Sequence, residues 1–205
     1  MPTYTLNLAV DDAGLAAINA SGQKVTIVKS VGNGEDVAWL LFEPLESNVI
    51  TWEETYSVYA SATNIEAGAT IATQSTKVAS GGNSYTFENG SFADGVPGPG
   101  PTEYVVENQD AAITISGTEM ITSGLYQGAV VNGNNTAAPL NAASVLFNET
   151  GTFTPIETIK VYLSSYNNNG MVISQVASDA LTVTYTDNQV ANIKFNDATN
   201  TFEMA

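Results

Sequence analysis

Aromatic and amide side chains gather in one short segment, Tyr166-Asn167-Asn168-Asn169-Gly170. A neutral sugar is held when a ring stacks on its apolar face while amides or backbone groups satisfy its hydroxyls. The segment directly follows a run that occurs twice, Glu54-Thr-Tyr-Ser-Val-Tyr-Ala-Ser61 and Glu157-Thr-Ile-Lys-Val-Tyr-Leu-Ser164. Tyr59 and Tyr162 hold the same place in the two runs, and with Tyr166, Asn167, Asn168 and Asn169 they form the candidate ligand-binding set. The matching first-half segment, Thr63–Gly68, keeps an Asn and the closing Gly but has no aromatic residue. Val131–Thr136 and Gly82–Tyr85 are further Asn-rich tips. Asn and Gly are also what tight turns require, so each of these segments has a purely structural explanation as well.

Paired carboxylates are the one catalytic apparatus this composition leaves open, because glycoside hydrolysis needs only two Asp or Glu side chains. Glu54 and Glu157 both open the recurring run, and if they met, one could be held protonated by the other. Otherwise each is a strand-end carboxylate bonded to a nearby turn. Hard cations such as Ca²⁺ need several oxygen ligands, and Asp11-Asp12, Asn33–Asp36, Glu107–Asp110 and Asp187-Asn188 could supply them. None has EF-hand spacing, so no metal or cofactor is assigned, with Ca²⁺ an example of the hard cations such loops could take. His and Cys are absent, which removes thiolate nucleophiles, Ser-His-Asp triads, ordinary zinc or haem sites and disulfides. The chain therefore reads as a protein that binds rather than catalyses.

Charge narrows the partners. There are 21 acidic residues against 5 basic ones, net −16, and the basic residues are all lysines: Lys24, Lys29, Lys77, Lys160 and Lys194. Binding nucleic acid means neutralising many phosphates, and anionic membranes make a similar demand, so both are excluded as partners. A neutral glycan, a cell surface carrying one, or self-association into a homo-oligomer remains. The alternative function is a self-assembling structural subunit of a filament, an inclusion or a surface layer. It follows from Thr-, Val-, Ile- and Ser-rich strands with few charges to guard their edges. The N-terminus has no Sec signal pattern and no apolar run is long enough to span a membrane, so the expectation is cytoplasmic synthesis or export by a non-Sec route.

The elements that must position these residues are strands. With 43% hydrophobic and 13% charged residues the chain can fold around a core. Alternation in the recurring run sets Tyr56, Val58 and Ala60, and likewise Ile159, Val161 and Leu163, on an apolar side. Thr55, Ser57 and Tyr59, with Thr158, Lys160 and Tyr162, fall on the wetter side. Other strands are expected over Tyr4–Ala9, Lys24–Lys29, Val37–Phe42, Ala69–Thr76, Tyr104–Glu107, Ala112–Ser116, Tyr126–Val131, Leu181–Tyr185 and Asn192–Phe195. One short helix is expected over Ala13–Ala20, capped by Asp11 or Asp12 and ended near Gly22. Trp39 belongs in the core, and Trp52 at the core or its rim. Gly95-Val-Pro-Gly-Pro-Gly-Pro101 is a connector near the midpoint, with net charge −8 on either side. The expected fold is an all-β antiparallel sandwich built from two similar halves by internal duplication, residues 1–94 and 103–205 joined by the linker 95–102, with one short N-terminal helix.

Overall fold

The strand Thr3–Ala9 sets the pattern for the molecule: Tyr4, Leu6 and Leu8 are buried while the residues between them are partly open. It pairs antiparallel with Ser47–Glu53 and parallel with Val190–Asn196, so the two ends of the chain lie in one sheet. The computed structural model describes residues 2–173, 175–186 and 188–205. Strands make up 57% of it and helix 5%, which makes it an all-β sandwich. No helix among the described residues is long and apolar enough to cross a membrane.

The largest sheet has 12 strands and is organised by Thr118–Val131, a strand of 14 residues. Along one edge this strand passes from Asn141–Leu146 to Asn134–Pro139, with the hand-over at Leu140. Along the other it passes from Tyr56–Ser61 to Ser47–Glu53, interrupted at Glu54 and Thr55. A 5-stranded sheet contains Asn83–Glu88, Tyr104–Asn108 and Thr150–Phe153, and a 4-stranded sheet contains Leu181–Thr184, Pro155–Ser164, Lys24–Val31 and Leu40–Phe42. One apolar cluster draws on all three, including Leu6, Ile27, Trp39, Ile50, Phe87, Leu125 and Val161. Burying each aliphatic side chain contributes about 1.5–3 kcal/mol.

The helix forms over Asp12–Ser21 as its signals predict. The Asp11 carboxylate accepts from the Gly14 N–H at 2.8 Å, and Gly22 closes the helix in the left-handed region. A Cβ on Gly14 would lie 2.7 Å from the Phe195 ring, so glycine lets the helix seat directly on the strand Val190–Asn196. The Asn132-Gly133 pair, with φ of 50° and 81°, turns the chain in two residues between Thr118–Val131 and Asn134–Pro139.

Some expectations meet a different structure. Strand character in 69–76 is confined to a bridge at Thr70 and the start of Ser75–Ala79. Within the Pro-Gly segment, Val96–Pro97 pairs with Asn83–Glu88. Strands from both sides of that segment share every sheet, and the two recurring runs lie in different sheets: Tyr56–Ser61 in the largest, Pro155–Ser164 in the smallest. The duplication is not confirmed. Thr, Val and Tyr alternation suits any half-buried strand, so the likeness of the two runs does not by itself establish a duplication.

The face assignment holds on the apolar side, since Tyr56, Val58, Ala60, Ile159 and Val161 all enter the large cluster. The opposite side is covered at its two tyrosines, while Thr55 is exposed and Ser57, Thr158 and Lys160 are partly open. Tyr59 packs with Val37, Ile71, Ala142 and Val172, and Tyr162 with Val28, Ala38 and Ile173. Residues 62–74, 165–173 and 175–180 supply part of both covers, through Ile65 and Ile71 in one and Tyr166, Val176 and Ala177 in the other.

Candidate functional site

A cleft of about 390 Å³ opens between the strand Leu40–Phe42 and the hairpin tip at Asn132-Gly133. Leu40, Phe42, Leu45 and Val131 supply an apolar lining, and Glu43, Asn132, Asn134, Thr136 and Asn169 a polar one. Asn169 ties the walls together, and Asn132 anchors the hairpin tip to the strand Ser47–Glu53. The Leu41 N–H donates to Asn169 Oδ1 at 2.7 Å, and Asn169 Nδ2 donates to Thr136 Oγ1 at 3.0 Å. The Val49 N–H donates to Asn132 Oδ1 at 2.9 Å, and Asn132 Nδ2 donates to Asn48 Oδ1 at 3.0 Å. Asn134 is exposed, with its amide 3.4 Å from the nearest carbonyl, so it keeps both donor and acceptor capacity. The Thr136 hydroxyl can still donate, and the Glu43 carboxylate has only a 3.9 Å contact to Lys24.

The structure separates the sequence candidates. Asn169 lines this cleft. Asn167 and Asn168 are exposed beside it, Asn168 within 3.5 Å of Thr70 Oγ1. Tyr166 is half-buried against the Tyr162 cluster. Tyr59 is fully enclosed, its hydroxyl donating to the Asn141 carbonyl at 2.7 Å, and burial pushes its pKa up. Tyr162 is also buried, which leaves neither ring a face for a ligand. The physical reason is the covering by residues 62–74, 165–173 and 175–180, which alternation within one strand does not reveal. The segments that follow the two runs also meet: the Ile71 N–H donates to the Gly170 carbonyl at 2.9 Å, and the Gly68 N–H to Val172 at 2.9 Å. The aromatic ring at the cleft is Phe42. Sequence reasoning placed Phe42 in a strand and gave it no role, because only tertiary packing brings it opposite Asn134 and Thr136.

A second polar cluster lies inside the core. Every lysine has a carboxylate within 4 Å, but Lys29 is the one that is fully buried. Alternation puts it on the same face as Val25 and Ile27, pointing into the large cluster. Its Nζ donates to Tyr56 Oη and to Gln127 Oε1, each at 3.0 Å, and lies 3.0 Å from Glu157 Oε2. The ring centroids of Tyr4, Trp39, Trp52 and Tyr56 lie 5.1 to 6.0 Å from Nζ, within cation–π range.

The backbone explains how these groups converge. Pairing between Pro155–Ser164 and Lys24–Val31 shifts register between Pro155 and Ile159, and Glu157 sits in that irregular stretch, which re-aims its side chain inward. Gln127 lies opposite the interruption at Glu54 and Thr55. Its Nε2 donates to the Glu53 carbonyl at 2.7 Å, and its own carbonyl accepts from Trp39 Nε1 at 3.1 Å. The Tyr56 hydroxyl donates to Glu157 Oε1 at 2.5 Å. Glu157 Oε2 touches Nζ as an ion-pair partner but lies off the hydrogen-bond direction, so it accepts no directed hydrogen bond.

Burial lowers the Lys29 pKa, and the nearby charges of Glu157 and Glu54 pull it partly back. Burial, reinforced by Glu157, raises that of Tyr56. Of the two recurring glutamates, Glu157 contacts Lys29, while Glu54 is exposed and acts on it only through its charge.

The acidic turns are occupied within the protein. Asp11 caps the helix, Asp36 pairs with Lys160 at 3.8 Å, and Asp110 accepts from the Gly90 and Ala112 N–H groups. Asp187 lies outside the described residues. Among the described residues, no three carboxylates gather where a metal ion could be held. Comparison of the chain with protein-family models, with curated proteins and with solved structures finds no match.

Proposed function

We propose that this chain is a non-enzymatic, lectin-like binding protein that takes a neutral saccharide in the cleft between Leu40–Phe42 and the Asn132-Gly133 tip. The observation that supports it is the mixed lining: the half-buried Phe42 ring and Leu45 on one side, with the Asn134 amide and Thr136 hydroxyl, which keep spare hydrogen-bonding capacity, on the other. A sugar ring needs both, an apolar face for its C–H groups and donors and acceptors for its hydroxyls. Asn169 bonds both walls and Asn132 anchors the hairpin tip to its neighbouring strand, which limits the ordering cost of binding.

A glycan array followed by titration calorimetry tests this. The expected result is binding to a defined group of neutral glycans, weakened by Asn134→Ala and Thr136→Val. A blank array, or binding that neither substitution alters, removes the proposal.

Self-association is the alternative, and open sheet edges favour it. Ser75–Ala79 pairs only with Tyr56–Ser61 among the described strands, and its Val78 is 80% exposed. Light scattering and electron microscopy would then find concentration-dependent oligomers that Val78→Lys disperses, whereas a strictly monomeric particle rejects it.

A further inference from the structure

We propose that Lys29 and Gln127 become joined by an intramolecular isopeptide bond, with Glu157 carrying the protons. Lys29 Nζ donates to Gln127 Oε1 at 3.0 Å, which holds the amine beside the carboxamide; exchanging that hydrogen bond for an approach to the face of Cδ sets up attack. Gln127 is anchored at both ends, by the Glu53 carbonyl on its Nε2 and the Trp39 indole on its backbone carbonyl. Glu157 Oε2 lies 3.0 Å from the same Nζ with no directed hydrogen bond of its own, leaving lone pairs free to accept a proton. The aromatic rings around Nζ exclude the water that would otherwise compete for the carbonyl carbon. Burial also lowers the pKa of the amine, favouring the neutral nucleophile.

The chemistry balances without an oxidant or reductant. Glu157 takes a proton from the Lys29 ammonium, and the freed lone pair forms a bond to Gln127 Cδ while the carbonyl π electrons move to Oε1. Glu157 then passes its proton to Nε2. As the carbonyl re-forms, the Cδ–Nε2 bond breaks and ammonia leaves. Glu157 finally accepts the second proton from the new amide nitrogen and delivers it to the ammonia, so lysine ammonium plus carboxamide gives a secondary amide plus ammonium. The bond links positions 98 residues apart and ties the strand Lys24–Val31 of the smallest sheet to Thr118–Val131 of the largest.

The test is the intact mass of the purified full chain under denaturing conditions, with a peptide map. The expected mass is lower than that of the sequence by one ammonia, with the Lys29 and Gln127 peptides recovered as one branched species. Three results overturn the proposal: an unreduced mass; a loss of one water, which would place the bond between Lys29 and Glu157; or a loss of ammonia mapped to a site such as Asn132-Gly133 with no branch. Lys29→Met and Gln127→Leu should abolish the loss. Glu157→Gln should abolish it too, and a branched peptide in that variant would remove Glu157 from the mechanism. Because the wild-type mass alone decides whether the bond exists, no variant has to fold for the proposal to fail.

Discussion

The molecule carries two polar clusters that differ in how fully their groups are used. Around Lys29 nearly every donor and acceptor points at another member of the cluster, and the surroundings are aromatic. In the cleft, Asn132 and Asn169 are used up holding the walls, while Asn134 and Thr136 retain capacity. Saturation and burial turn a polar cluster inward, toward stability or self-reaction. Spare capacity beside a half-buried ring turns one outward, toward a ligand. The same contrast governs the ion pairs: Lys29–Glu157 and Lys194–Glu203 are 3.0 and 3.1 Å long, yet one is enclosed and the other solvated.

The largest effect should come from Glu157→Gln. It stops the Lys29–Gln127 bond from forming and leaves the free Lys29 amine buried without a counter-charge, and an uncompensated buried charge of this kind costs about 3–5 kcal/mol. For a chain of this size that is a fall in melting temperature of about 10 °C. Glu203→Gln, made in the pair of similar length, should leave the melting temperature unchanged, because exposed pairs contribute little. Equal effects in the two variants would break the comparison.

Next in size is Tyr59→Phe. It removes the one side-chain donor that the Asn141 carbonyl has inside the core, at a cost of about 1–2 kcal/mol by thermal or denaturant unfolding. A neutral result would mean that this face of the strand is open after all.

How much of this was legible in sequence depends on whether a group's role is local. The helix was readable because Asp11, Gly22 and the apolar residues between them act within one turn of each other. Strand parity was readable for the same reason, and Tyr56, Val58, Ile159 and Val161 face as alternation requires. What covers the other face was not, since Ile71 and Val172 reach Tyr59 from remote segments. The strands Asn134–Pro139 and Thr150–Phe153 went unpredicted because small and polar residues dominate them, and pairing with neighbours makes them strands. Lys29 has the parity of Val25 and Ile27, but a lysine at the end of an alternating run reads as solvated. Its burial depends on a shift in register near Glu157 and an interruption at Glu54, neither of which any residue type announces.

In the cleft the effects should be smaller and should divide binding from folding. Asn134→Ala and Thr136→Val should change stability by no more than about 0.5 kcal/mol, as surface substitutions do. Each should lower affinity for the glycan found on the array by about tenfold, equivalent to about 1.4 kcal/mol. Loss of stability without loss of affinity would move these residues into the class of Asn132, as supports of the wall.

The sharpest test of the comparison lies within one triplet and ends on a substitution expected to do nothing. Asn167, Asn168 and Asn169 are identical in sequence, yet only Asn169 bonds both walls of the cleft, accepting from Leu41 and donating to Thr136. Asn169→Ala should cost about 1 kcal/mol of stability for the lost hydrogen bonds and weaken glycan binding by letting the walls drift. Asn167 is exposed and outside the cleft lining, so Asn167→Ala should alter neither quantity beyond experimental scatter. Calorimetry and thermal unfolding on the two variants measure both at once. If Asn167→Ala weakens binding as much as Asn169→Ala does, the saccharide is held by the exposed face of the triplet, and the cleft between Phe42 and Thr136 is not its site.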